Sequence, residues 1–141
     1  MATTVQAVQA TLGYPKLAVS GSITEADTGN TVQAVEIPAK SFIPPGGVTV
    51  YVAEVFAGGT PSLDVGDGDD ADGWVDSTDI TETTVGTYSG DLTNTAAYSA
   101  DGKYYAAADT IDVVVAASAT GGTAYVLVAY YDLSDVTMAA E

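Results

Sequence analysis

The densest run of reactive side chains in this chain is Asp64-Val65-Gly66-Asp67-Gly68-Asp69-Asp70-Ala71-Asp72-Gly73-Trp74-Val75-Asp76. It holds six aspartates in thirteen residues, with glycines between them and no cation. Calcium takes several oxygen ligands on a flexible loop, so Asp67, Asp69 and Asp72 are the residues that can converge on one ion. The EF-hand pattern does not fit. Its third ligand position falls on Ala71, no glutamate closes the loop at the twelfth position, and no helical pattern flanks it. The same composition also makes a solvated turn between strands, because Asp and Gly supply turn conformations. The turn is the preferred reading, with weak calcium binding as its rival. Trp74 reads as the anchor that pins this loop to the body of the domain.

Most other chemistry is excluded by absent residue types. The chain has no histidine and no cysteine. A Ser-His-Asp triad, a histidine proton shuttle, a cysteine nucleophile and a Cys/His zinc site are therefore out of reach. Paired carboxylates can support glycoside hydrolysis, but 19 acidic residues guarantee accidental pairs and the signal has no specificity. The expectation is a non-enzymatic protein with no catalytic residues. Tyrosine is frequent, as in Tyr104-Tyr105 and Tyr130-Tyr131. Beside acids it suggests a sugar-binding surface; as an apolar body with a polar tip it equally serves strand packing and subunit contacts, which is the preferred reading.

Charge narrows the partners. Only Lys16, Lys40 and Lys103 oppose the 19 acids, for a net charge of −16, and there is no arginine. Phosphate binding needs a Lys/Arg footprint, so neither nucleic acid nor an anionic membrane is an expected partner. No window approaches the ~20 apolar residues of a spanning helix. The N-terminus lacks the basic start and apolar run of a signal peptide, which points to synthesis in a cytoplasm.

These side chains must be positioned by strands. Val, Thr and Tyr are abundant, the types that fit a pleated, half-buried surface. The segment Thr3 to Leu12 has helix-like spacing at Val5, Val8 and Leu12, but it is Thr/Val-rich and ends at Gly13-Tyr14-Pro15. It reads as part of an extended N-terminal arm, residues 1–15, ahead of a single β-sandwich domain at 16–141. Strands are expected at Leu17 to Ile23, Thr31 to Ile37, Val48 to Phe56, Ser62 to Val65, Trp74 to Ile80, Val85 to Tyr88, Lys103 to Tyr105, Thr110 to Ala116 and Thr123 to Tyr131. The last two read as a hairpin around Ser118-Ala119-Thr120-Gly121-Gly122. Pro38 and Pro44-Pro45 break the chain, because proline donates nothing to a ladder. About eight or nine short strands with a turn every ten residues or so point to a sandwich or barrel, not to βαβ units.

The last strand is apolar on both faces, with Ala124, Val126, Val128 and Tyr130 against Tyr125, Leu127, Ala129 and Tyr131. One face fills a core; the other needs cover, since a monomer seldom leaves such a strip wet. This favours an oligomer. Contact candidates are Tyr125, Leu127 and Tyr131, the arm residues Val5, Val8 and Leu12, and the lysines Lys16 and Lys40.

The run Val50-Tyr51-Val52-Ala53-Glu54-Val55-Phe56, then Gly58-Gly59-Thr60 and the Leu63 to Val75 loop, resembles small virion proteins of tailed phages. So do Tyr104-Tyr105, Asp109-Thr110-Ile111-Asp112-Val113-Val114-Val115 and Gly121-Gly122-Thr123-Ala124-Tyr125-Val126. The likeness covers about residues 48 to 131. It implies a jelly-roll-like sandwich that trimerises on the capsid surface as a decoration, or cement, protein, with the major capsid protein as partner and no catalytic residues. Related small proteins serve in head fibres and tails, and a carbohydrate-binding module or a cell-surface array subunit remains an alternative. Short strands, an uncharged arm and one overly apolar strand suit a protein that grips a lattice.

Overall fold

The computed structural model describes residues 15–91, 96–116 and 119–134. It contains ten strands: β1 (Lys16–Val19), β2 (Ile23–Thr24), β3 (Thr31–Ile37), β4 (Ser41–Ile43), β5 (Val48–Ala57), β6 (Ser62–Gly66), β7 (Gly86–Ser89), β8 (Lys103–Tyr105), β9 (Asp109–Ala116) and β10 (Gly121–Asp132). The only helical pieces among the described residues are two 3₁₀ turns, Glu25–Asp27 and Ser77–Asp79.

The strands form two antiparallel sheets. The larger runs β7-β5-β10-β4-β8, with β1 and β2 also paired to β10. The smaller runs β3-β9-β6. One continuous core lies between them: Val48, Val50, Val52, Ala124, Val126 and Val128 from the larger sheet meet Val35, Ile37, Leu63, Val65, Ile111, Val113 and Val115 from the smaller. The fold is an all-β sandwich.

Period-two alternation places these side chains. In β5, Val48, Val50 and Val52 are buried while Tyr51 and Val55 are exposed. In β3 the alternation changes phase. Val32 and Ala34 pack on the core, then a register shift between Gln33 and Val35 turns Val35 and Ile37 inward. A bulge inserts one residue and so exchanges the two faces of the strand.

Four expectations from the sequence are corrected. The stretch Leu17 to Ile23 is two strands, because Ser20 replaces a ladder step: its hydroxyl accepts from the Val126 amide at 2.8 Å while its own amide donates to the Val126 carbonyl at 2.9 Å. Strand β4 forms between the prolines, which flank it without sitting in its ladder to β10 and β8. Trp74 to Ile80 is not a strand. Val75 makes one bridge to Val65, and then Asp76 and Asp79 close a capping box on the turn Ser77–Asp79, their carboxylates accepting from Thr78 and Asp76 amides at 2.8 and 3.3 Å. Side-chain acceptors here outcompete the ladder. Finally, β9 and β10 are no hairpin. They lie in different sheets, with their apolar faces turned toward each other across the core.

Gly122 belongs to the strand and not to the hairpin turn read there from the sequence. It lies inside β10 at φ 130°, and a Cβ there would sit 2.4 Å from the Phe56 ring. Strain and overlap act together, so Gly122→Ala should lower unfolding free energy by about 2 kcal/mol or more. Thermal or denaturant unfolding checks this; a change under about 0.5 kcal/mol would contradict the packing described.

Candidate functional site

The sandwich presents two outer faces of opposite character. Opposed residues of an antiparallel pair share a face, so the registers define each surface. On the smaller sheet, Gln33 opposes Asp112, Glu36 opposes Thr110, and Asp64 opposes Val114. That face is polar and acidic, with a shallow groove of about 400 Å³ along Gln33, Glu36, Ala108, Asp109 and Thr110.

On the larger sheet, Leu17 opposes Ala129, Val19 opposes Leu127, Leu127 opposes Thr49, and Tyr125 opposes Tyr51. No charged side chain falls among these seven. Leu17 is 80% exposed and Val19 61%, against 38% for Leu127. Tyr51 and Tyr125 stack with ring centroids 6.2 Å apart. Between β1 and the β4–β5 turn runs a cleft of about 290 Å³, floored by Gly46, Gly47 and Ala129 and walled by Leu17, Val19 and Leu127. A contiguous apolar surface on a chain of net charge −16 marks an interaction site.

The contact candidates fall around this face. Tyr125 and Leu127 lie on it, and Tyr131 follows by alternation, half-buried and opposite Phe42 of β4. Lys16 stands at the rim, its ammonium 3.1 Å from Asp132. The Ser134 hydroxyl and amide, and then Lys16, hold the Asp132 carboxyl down at about 2. Lys40 is exposed at φ 60° in the turn before β4, where its carbonyl accepts from the Leu133 amide at 2.8 Å. Val5, Val8 and Leu12 lie outside the described residues.

The acidic loop is organised from within. Asp67 is 4% exposed, and its carboxylate accepts from Lys103 at 2.5 Å, Tyr105 at 2.8 Å, Tyr98 at 3.3 Å, and the amides of Asp69 and Asp70 at 3.0 and 3.1 Å. Burial pushes its pKa up, but the Lys103 ammonium, the Tyr105 hydroxyl and the two amides together hold it below the ordinary value. The Lys103 ammonium also sits 4.2 Å from the Tyr98 ring centroid. Trp74 is fully buried and donates from Nε1 to the Tyr105 hydroxyl at 3.0 Å, and the Ser99 hydroxyl donates to the Trp74 carbonyl. Trp74 does anchor the loop, and Asp67 is its polar pin. Sequence reasoning missed Lys103 here, although it is the one cation in a long acidic stretch and has to meet a carboxylate somewhere.

Asp67, Asp69 and Asp72 are not brought together as one ligand set. Asp67 turns inward to Lys103, and the Asp69 side chain is 82% exposed with an oxygen 3.6 Å from the same ammonium. Among the described residues, the carboxylates that do converge are Asp64, Asp72 and Asp76, each offering an oxygen within 4.8 Å of the others. Three oxygens at this spacing can touch one divalent cation. They also repel one another. A hydrogen bond from Asp72 to Asp70, then burial and the charges of Asp70 and Asp76, raise the Asp72 pKa to about 6.

Comparison with known proteins gives fold relatives only. No protein-family model matches the chain, and no curated protein matches it. The fold is shared with a chain in the capsid asymmetric unit of cyanophage Pam1, at TM-score 0.59 and 20% identity, over 92% of this chain and 96% of that one. It is also shared with a chain of the acidic stable capsid of Helicobacter pylori bacteriophage KHP30, at TM-score 0.62 and 15% identity, over 89% and 92%. A chain of the Ralstonia phage GP4 capsid matches at TM-score 0.58 and 16% identity, over 92% and 91%.

Two outcomes test the loop. Lys103→Met strands a buried carboxylate and should cost about 3 kcal/mol in denaturant unfolding; an unchanged midpoint would show that Asp67 does not need its cation. For Asp72, the folded chain holds the proton more tightly than the unfolded chain, whose value is near the ordinary 3.8. Stability from this group is therefore full below about 3.8 and is lost as pH rises through about 6. Asp72→Asn should melt above the parent at pH 7, and the two should converge toward pH 4. Parallel melting curves across that range would contradict the repulsion.

Proposed function

We propose that this chain is a virion structural protein that decorates the outside of a tailed-phage head as a cement protein, binding the major capsid protein as a homotrimer. The observation that carries the reading is the sandwich itself, shared over about nine-tenths of the chain with chains of three phage capsid structures. The two faces support the placement. Crowding many copies of a −16 chain multiplies like-charge repulsion, which screening over about 8 Å weakens only between well-separated charges. Burying the acidic loop or the β3-β9-β6 face against a neighbour adds desolvation to that repulsion. The central part of the larger sheet's outer face carries little such cost, with Glu54 opposite Thr123 as an acid at its end, so it turns inward to the shell and to neighbouring subunits. The loop from Asp64 to Asp79 then faces solvent.

The test is co-sedimentation with undecorated capsids. Tyr51→Asp with Tyr125→Asp places two charges on the apolar face and should weaken binding at least tenfold. The loop triple Asp69→Asn, Asp70→Asn, Asp72→Asn should still bind. The reverse pattern would invert the orientation, and failure of the intact protein to bind a capsid would remove the decoration role.

A further inference from the structure

The Lys103 ammonium stands 2.5 Å from Oδ2 of Asp67, where the Asp67 side chain is fully buried and that of Lys103 is 20% exposed. With a C–O bond of about 1.2 Å, Nζ lies within about 3.7 Å of the carboxyl carbon, close to attack distance. The donors around the carboxyl group divide between its two oxygens. Oδ1 accepts from the amides of Asp69 and Asp70 at 3.0 and 3.1 Å and from the Tyr98 hydroxyl at 3.3 Å. Oδ2 accepts from Lys103 and from the Tyr105 hydroxyl at 2.8 Å. Two backbone amides and a hydroxyl aimed at one oxygen can stabilise an oxyanion, and proton donors on the other can help it depart. Asp69 completes the set. Its carboxylate is 3.6 Å from the same ammonium, on a side chain 82% exposed, so a proton it takes exchanges with water. Tyr98, Tyr105 and the fully buried Trp74 wall the pair, with Nζ 4.2 and 4.9 Å from the two tyrosine ring centroids.

We propose that Asp67 and Lys103 condense within the folded chain to an isopeptide bond between Nζ and Cγ. Burial pulls the Lys103 pKa down, but its bonds to Asp67 and Tyr98 raise it overall, so the pair rests as ammonium and carboxylate. The reactive form needs no proton from outside. One proton crosses the contact from Nζ to Oδ2 and leaves a neutral amine beside a carboxylic acid. The nitrogen lone pair then attacks Cγ, and the C=O electron pair moves onto Oδ1, into the bonds from Asp69, Asp70 and Tyr98. Asp69 takes a second proton from Nζ and returns it to Oδ2. The Cγ–Oδ2 bond breaks, Oδ2 leaves as water, and the amide keeps the last Nζ proton. No oxidant or co-reactant enters. Fixing the two groups together is worth an effective concentration on the order of 10⁵–10⁸ M, which lets an amide form from an unactivated carboxyl group. The bond joins residues 36 apart and ties the loop after β6 of the smaller sheet to β8 of the larger. It is independent of capsid binding.

Intact-mass spectrometry of the purified, denatured chain tests this. The parent should be lighter than its sequence mass by one water, and Lys103→Arg, which keeps the cation without the amine, should not. Cleavage after glutamate cuts at Glu82, between the two partners. Fragments 55–82 and 83–141 of the parent should stay joined, and those of Lys103→Arg should separate. Asp67→Asn should still react, losing ammonia in place of water. Asp69→Asn should slow the mass change at least about tenfold when samples are taken over hours after synthesis. Parent protein that keeps its full sequence mass after days in the folded state would overturn the proposal. So would a water deficit that persists in Lys103→Arg with the fragments separate, which would place the dehydration at an Asp-Gly step such as Asp67-Gly68. An unchanged rate in Asp69→Asn would remove Asp69 as the base.

Discussion

The pairing of β5 with β10 governs the molecule. Val48, Val50 and Val52 stand opposite Val128, Val126 and Ala124 on one side of the ladder. Strand alternation then forces Thr49 and Tyr51, with Leu127 and Tyr125, onto the other side. A slip of one residue would exchange the two sets and put tyrosine rings and a threonine hydroxyl into the core. The core requires this register, and the exposed apolar face is its direct consequence. Strand β1 widens the face instead of covering it, because Leu17 and Val19 continue the same side of the sheet.

Much of this was legible where alternation is strong. The two-faced character of β10 and the inward valines of β5 follow from period two alone. What failed were choices between partners. Nothing local in Thr110 to Ala116 distinguishes a strand that pairs with its successor from one that crosses the core, and both are apolar on their inner face. The loop after β6 failed for another reason. From sequence its aspartates read as ligands or as solvated turn residues, but Asp67 is neither. It is a buried acceptor whose donors, Lys103 and Tyr105, lie far along the chain. The sequence hint was the scarcity of cations: of three lysines against nineteen acids, Lys16 and Lys103 each pair with a carboxylate.

The distribution of charge connects this fold to its proposed use. Acids populate the smaller sheet's outer face and the loop from Asp64 to Asp79, while the larger sheet's outer face has none in its central register. Within the loop, one carboxylate is neutralised by Lys103 and three others, Asp64, Asp72 and Asp76, are left facing one another. Such an arrangement costs least where water and salt can reach it. In the proposed arrangement a particle built from many copies meets that condition, with the loop toward solvent and the mostly uncharged face buried.

The most direct test of this two-sided account is the salt dependence of capsid binding. Affinity of the intact protein for undecorated capsids is measured between roughly 50 mM and roughly 500 mM sodium chloride, where the screening length falls from about 14 Å to about 4 Å. Binding through the largely uncharged face, opposed by repulsion among neighbouring copies, predicts affinity that holds or tightens as salt rises. A loss of tenfold or more across that range would mean that the acidic side makes the contact, and would contradict the account.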